Sequence, residues 1–114
     1  MTTIYHNPRC SKSRATLELL REQGIDPEIV LYLEDTPDAQ TVKEITELLG
    51  CSIESIMRKG ETLYRELDIA QKTLSESELI DVVVANPILL ERPIVVNGNR
   101  AAVGRPPENV LSIL

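Results

Sequence analysis

The sequence is poor in aromatic side chains, in histidine and in cysteine. Among 114 residues it has three tyrosines, no phenylalanine or tryptophan, one histidine and two cysteines. Single-stranded nucleic acids stack on aromatic rings, and a formal net charge of −6 repels a phosphate backbone. One histidine and two distant cysteines are too few for a zinc site. The composition therefore predicts an aliphatic core, no nucleic-acid partner and no metal site.

Long apolar runs are absent as well. Asp81, Asn86 and Pro87 interrupt the longest apolar tract, and the first residues lack the basic-then-apolar pattern of a signal peptide. We therefore expect no membrane partner and a cytoplasmic location, where Cys10 and Cys51 would both be free thiols. The length predicts a single domain over residues 1–114.

The segment HNPRCSKSR places one cysteine between a strand and a helix. The strand TTIY ends at His6, Asn7-Pro8 is typical of a turn, and helical character runs from Ser11 to Gln23. Cys10 therefore lies at a helix N-terminus, where free N–H groups and the helix dipole favour a thiolate over a thiol.

Neighbouring side chains strengthen this interpretation. Arg9, Lys12 and Arg14 bring positive charge, and the hydroxyls of Ser11 and Ser13 are expected to donate hydrogen bonds to the sulfur. The alternative is that the cysteine is a small buried apolar residue, as most free cysteines are. We favour a reactive cysteine.

The order of elements predicts the fold class. EIVLYL is a second strand ending near Leu33, so a strand-helix-strand unit with parallel strands opens the chain. A helical insert follows at about 36–87. In it, Thr36-Pro37-Asp38 opens a helix with the proline at its first position, Gly50 ends that helix, and Ser75 and Glu78 form a capping box for a later helix. A hairpin then turns at Asn97-Gly98-Asn99 before a short terminal helix. This order predicts an α/β, thioredoxin-like mixed sheet with the insert between the second and third strands. Pro93 would then be the cis-proline before the third strand, the alternative being an ordinary trans proline.

Besides the arginines beside Cys10, four arginines stand outside obvious solvent-facing helix patterns: Arg58, Arg92, Arg100 and Arg105. A planar guanidinium donates two parallel hydrogen bonds to adjacent oxygens and stays charged, which suits a tetrahedral oxyanion. The alternative is a set of solvated surface charges, which is the interpretation that we favour for Arg100 in the hairpin.

Several segments resemble the glutaredoxin-coupled arsenate reductase family of the thioredoxin superfamily, in a short form. They cover almost the whole chain: IYHNPRCSKSR, VLYLE, MRKGE, NPILLERPIVV and GRPPE. The resemblance implies that Cys10 is the nucleophile, that Arg58, Arg92 and Arg105 hold the oxyanion, and that His6 has a secondary role. It also implies that the thiolate attacks arsenate and that glutathione, as co-substrate, and glutaredoxin supply the electrons that release arsenite, with no bound cofactor.

Two local features bear on this chemistry. Ser13 stands where a dithiol protein has its second cysteine, so an external thiol must complete any redox cycle. Thr16 stands where phosphatase-like arsenate reductases have the arginine of their cysteine loop, so that loop is absent. Two other functions stay open: a monothiol glutaredoxin-like thiol transferase, and a non-catalytic regulatory or binding protein of the same fold.

Overall fold

The computed structural model describes residues 1–114 as two compact units. Residues 1–35 and 92–114 form a sheet unit, and residues 36–91 form a helical unit. The helical unit corresponds to the insert predicted at about 36–87. The prediction of a single domain stays a prediction.

The sheet unit contains four strands in the spatial order β2-β1-β3-β4. Strand β1 pairs in parallel with β2 and antiparallel with β3, and β3 pairs antiparallel with β4. The mixed, thioredoxin-like sheet is confirmed. The strand bounds are β1, Thr2–Tyr5; β2, Glu28–Val30; β3, Ile94–Asn97; and β4, Arg100–Val103.

Helix α1, Ser11–Glu22, packs on this sheet through an aliphatic core. The terminal 3-10 helix, Pro107–Ile113, contributes to the same core. Burial of these aliphatic groups fixes α1 on the sheet, and with it the position of the residue that precedes α1. The core side chains are Ile4, Leu17, Leu20, Val95, Val110 and Ile113.

The second strand is shorter than predicted, because it ends at Val30 rather than near Leu33. The N–H groups of Glu34 and Asp35 both donate to the carbonyl oxygen of Leu31, at 2.9 and 2.8 Å. These bonds turn the chain away from the sheet edge, so the apolar run does not continue as a strand.

The helical unit is built from three α-helices and three 3-10 segments. The sequence predicted that Pro37 would be the first residue of α2, but Asp38 caps the helix instead, since its Oδ1 accepts from the Thr41 N–H at 2.8 Å. The α-helices are α2, Ala39–Leu49; α3, Thr62–Glu66; and α4, Glu76–Ala85. The 3-10 segments are Ile53–Ile56, Ile69–Gln71 and Pro87–Leu89.

Helix α4 begins with the capping box predicted from Ser75 and Glu78. The Ser75 hydroxyl accepts from the Glu78 N–H at 3.2 Å, and the Glu78 carboxylate accepts from the Ser75 N–H at 3.0 Å. Both bonds satisfy N–H groups that the helix itself leaves free. No helix in the structure is both long enough and apolar enough to cross a membrane.

Candidate active site

Cys10 is the N-cap residue of α1. Its backbone is extended, and its carbonyl oxygen accepts from the Arg14 N–H at 3.0 Å, which is the first hydrogen bond of the helix. The Cys10 N–H donates to the Asn7 carbonyl at 3.0 Å and closes the turn before the helix. The half-buried sulfur therefore lies where the first N–H groups of α1 are free to donate.

These groups favour the thiolate. Burial raises the pKa of the Cys10 thiol, but hydrogen bonds from the Ser13 N–H, the Arg92 side chain and the Lys12 N–H outweigh burial, together with the charge of Arg92. The pKa of Cys10 therefore lies below its ordinary value. Each of these interactions stabilises negative charge on sulfur.

The structure corrects two expectations about the source of this effect. The side-chain cation that lowers the pKa of Cys10 is Arg92, which is distant in sequence, rather than Arg9, Lys12 or Arg14. Arg14 instead donates to the carbonyl oxygen of Pro8 at 2.9 Å. The Lys12 contribution comes from its backbone N–H.

The Ser13 hydroxyl also has a different role from the one predicted. It does not bind the sulfur; it accepts from the Asn7 N–H at 3.0 Å and shares a hydrogen bond of 2.6 Å with the His6 Nδ1. All three residues are buried. Burial, followed by the charges of Arg21 and Arg14, lowers the pKa of His6, so its ring is neutral at neutral pH. His6 and Ser13 therefore fix the turn before Cys10.

Arg105 is the second arginine at the sulfur. Its Nη1 lies 3.8 Å from the Cys10 Sγ, a long N–H···S contact, and donates to the Arg92 carbonyl oxygen at 3.3 Å. The Arg92–Pro93 peptide bond is cis, which decides between the two alternatives for Pro93, and the bond from Arg105 to Pro106 is cis as well. The sheet unit thus brings two of the three predicted arginines to Cys10.

Arg58 lies in the helical unit, where two carboxylates hold it. Its Nε is 3.1 Å from the Glu61 Oε1, and its Nη1 is 3.0 Å from the Glu91 Oε1. Burial lowers the pKa of Arg58, but these carboxylates outweigh burial and raise it overall. Its role as a third oxyanion ligand stays a prediction.

The sheet unit therefore presents one thiol with a lowered pKa and positive charge beside it, which suits nucleophilic attack on an anion. Cys51 differs, since burial and the nearby Glu76 raise its pKa. No three His, Cys, Asp or Glu side chains lie close enough together to hold a metal ion. The predicted effect of free N–H groups at the helix N-terminus is confirmed, since the N–H groups of Ser13 and Lys12 are the ones that donate to the sulfur.

A single cysteine at the start of the first helix, with a cis-proline at the start of the third strand of a mixed sheet, defines a thioredoxin-like thiol protein. Comparison with known proteins narrows the class. The ArsC family model matches residues 5–113, and the chain belongs to this family.

Relatives match over nearly the full length. The Escherichia coli K12 protein YfgD is 55% identical, over 97% of this chain and 94% of that protein. The arsenate reductase of Neisseria meningitidis (strain Z2491) is 47% identical, over 97% of this chain and 96% of that protein. The solved arsenate reductase of Vibrio cholerae has a TM-score of 0.96 at 46% identity, covering 99% of this chain and 97% of that one.

Proposed function

We propose that the protein is an arsenate reductase in which the Cys10 thiolate attacks arsenate, and glutathione and glutaredoxin supply the electrons. The observation that carries the proposal is the approach of Arg92 and Arg105 to one sulfur whose pKa is lowered. The arsenate reductases of similar sequence support the choice of oxyanion.

The arginines answer an electrostatic difficulty. Arsenate is a dianion near neutral pH, so a thiolate that approaches it is repelled. Guanidinium groups fixed beside the sulfur offset this repulsion before attack and stabilise the charge that builds up on the oxygens during attack. We assign Arg92 and Arg105 this role, and Arg58 the same role as a third ligand.

The proposed reaction balances with two thiols. The Cys10 sulfur forms a bond to arsenic(V), and one arsenate oxygen leaves as water after taking up protons. A glutathione thiolate then attacks the Cys10 sulfur; the sulfur–arsenic electron pair stays with arsenic, which becomes arsenite, and a Cys10–glutathione disulfide forms. Two thiols are oxidised while arsenic gains two electrons. Glutaredoxin then exchanges this disulfide and restores the Cys10 thiol.

An external reductant is required because the site has no second thiol. The residue three positions after Cys10 is Ser13, whose hydroxyl is bound to His6. Cys51 lies in the helical unit with a raised pKa, which makes it a poor attacking thiol. In the proposal His6, Ser13 and Pro93 support the loop segments around Cys10 rather than react.

The test is production of arsenite from arsenate. We expect turnover with glutathione and glutaredoxin, none above background for Cys10→Ser, and wild-type turnover for the matched variant Cys51→Ser. If wild-type protein reduces arsenate only with thioredoxin, the protein is an arsenate reductase but the proposed electron donors, glutathione and glutaredoxin, are wrong. No arsenite with either reductant would overturn the proposal.

The thiol transferase alternative is tested with the same proteins. If wild-type protein reduces a glutathione mixed disulfide, and Arg92→Ala and Arg105→Ala do so equally well, the result supports the thiol transferase. We expect instead that both variants lose arsenate reduction.

A further inference from the structure

The segment that carries Arg105 packs directly against α1. Thr16 lies within α1 and is completely buried. Its Oγ1 is 2.8 Å from the Lys12 carbonyl oxygen and 3.4 Å from the Gly104 carbonyl oxygen. One hydroxyl thus faces both the first turn of α1 and the residue immediately before Arg105.

Gly104 occupies a space with no room for a side chain. A Cβ built on it would lie 2.5 Å from the Thr16 Oγ1 and 2.8 Å from the Pro93 Cγ, closer than real Cβ atoms approach. The Gly104 N–H also donates to the Pro93 carbonyl oxygen at 2.9 Å. The absence of a side chain lets this backbone lie between α1 and the cis-proline.

This close packing matters because the Arg105 side chain is exposed. A long exposed side chain has many rotamers, and ordering it costs entropy. Its guanidinium nevertheless reaches two fixed points, the Arg92 carbonyl oxygen and the Cys10 sulfur. Because Gly104 immediately precedes Arg105, fixing its backbone restricts the position of the Arg105 Cα and thereby the region that the guanidinium can reach.

We propose that Thr16 and Gly104 are positioning residues that set the Arg105 guanidinium beside the Cys10 sulfur. The inference rests on the oxyanion-binding role proposed for Arg105. Neither residue touches the reacting atoms; both act through the backbone of Arg105. Thr16→Val puts a methyl group, which cannot donate, against the Gly104 carbonyl, and Gly104→Ala displaces the backbone itself.

The test compares the alkylation of Cys10 by iodoacetate, which is anionic, with its alkylation by neutral iodoacetamide. The two reagents share a leaving group, so the ratio of their rates reports the positive charge at the sulfur whether or not the protein reduces arsenate. Labelling is read on the Cys10 peptide by mass spectrometry, which separates it from Cys51. We expect Arg105→Ala to lower the ratio by about two- to fivefold, as for a partly exposed ion pair.

We expect Thr16→Val and Gly104→Ala to lower the ratio of the iodoacetate rate to the iodoacetamide rate, as Arg105→Ala does. Thr16→Ser keeps the hydroxyl and should retain the wild-type ratio. Thr46→Val is the matched control, since the buried Thr46 hydroxyl donates to a carbonyl of its own helix, that of Lys43, at 2.7 Å. Gly60→Ala is the control for the glycine, because a Cβ there meets nothing within 4 Å.

The outcomes separate this inference from the proposed function. Wild-type ratios for folded Thr16→Val, or for Arg105→Ala, would overturn the positioning role. If Gly104→Ala does not fold, the comparison of Thr16→Val with Thr16→Ser decides. If Thr16→Val lowers the ratio but the wild-type protein makes no arsenite, the positioning role is supported and the proposed arsenate reductase function is overturned. For an active reductase we also expect Thr16→Val to raise the KM for arsenate.

Discussion

The Arg92 side chain donates a hydrogen bond to the Cys10 sulfur, and its charge lowers the pKa of that thiol. The two residues come from opposite ends of the chain, and the sheet unit contains both. The reactivity of Cys10 is therefore a property of the folded sheet unit rather than of the segment HNPRCSKSR alone.

Replacing Arg92 with alanine should raise the pKa of Cys10, because the variant loses both the side-chain hydrogen bond and the positive charge that oppose the effect of burial. The measurement is the rate of iodoacetamide labelling against pH, whose midpoint should move upward. We also expect kcat/KM for arsenate to fall by about 10²-fold. Arg100→Ala, at an exposed hairpin arginine, is the control. An unchanged midpoint in Arg92→Ala would contradict the assignment.

Replacing Ser13 with alanine should destabilise the protein by about 1–3 kcal/mol, since the buried Asn7 N–H and His6 Nδ1 both lose their partner. The free energy of unfolding from urea denaturation measures this loss. Ser55→Ala, which removes one hydroxyl of an exposed Ser52–Ser55 pair, should cost much less. Equal losses in the two variants would argue against the buried network.

Acidification should destabilise the protein through His6. Its pKa is lowered in the folded state from an ordinary 6.5, so the unfolded chain binds the proton more readily. Stability is therefore fully present above 6.5 and falls as the pH drops from 6.5 through the folded pKa. Urea unfolding across this window should show a falling midpoint, with a shallower fall in His6→Gln.

Two helix-capping carboxylates set the lowest pH at which the urea unfolding experiment still reports on His6. Backbone N–H groups lower the pKa of Asp38 and Glu78 from ordinary values of 3.8 and 4.5. The stability from these caps is lost as the pH falls below those values, so measurements above 4.5 isolate His6. An equally steep fall in His6→Gln would mean that another group titrates.

Replacing Ser75 with alanine should cost about 1 kcal/mol, because the capping box of α4 loses its hydroxyl acceptor. Ser77→Ala is the matched control, since Ser77 is the second residue of the same helix and is exposed. Thermal or urea denaturation compares the two variants. A Ser77→Ala loss as large as that of Ser75→Ala would contradict the capping role.

Short sequence motifs predicted most of the helices, strands and turns. The turn at Asn7-Pro8, the helix end at Gly50 and the hairpin turn at Gly98 are each set by a few adjacent residues, and the structure has all three. Gly50 and Gly98 have φ of 68° and 62°, a region that glycine enters freely. The second strand was predicted too long, because the backbone hydrogen bonds that turn the chain at Leu31 leave no pattern in the sequence.

The site was less predictable because its contacts are non-local. Cationic neighbours of Cys10 in sequence appeared to be the source of its acidity, whereas the structure shows Arg92. Hydroxyl chemistry suggested that Ser13 would bind the sulfur through its side chain, but its N–H does so. Sequence spacing does not reveal which atom of a residue faces a neighbour, and it gave no sign of the space that only Gly104 can occupy.

The pairing of β3 with β1 has a consequence for how reactivity arises during folding. Arg105 lies 95 residues from Cys10 along the chain, and Arg92 immediately precedes Pro93 and β3, so neither can reach the sulfur until β3 has joined β1. Contacts of such sequence separation form late, because a long loop must close first. A chain still emerging from the ribosome therefore lacks the charge of both arginines at Cys10, and the full rate of Cys10 labelling marks completion of the sheet.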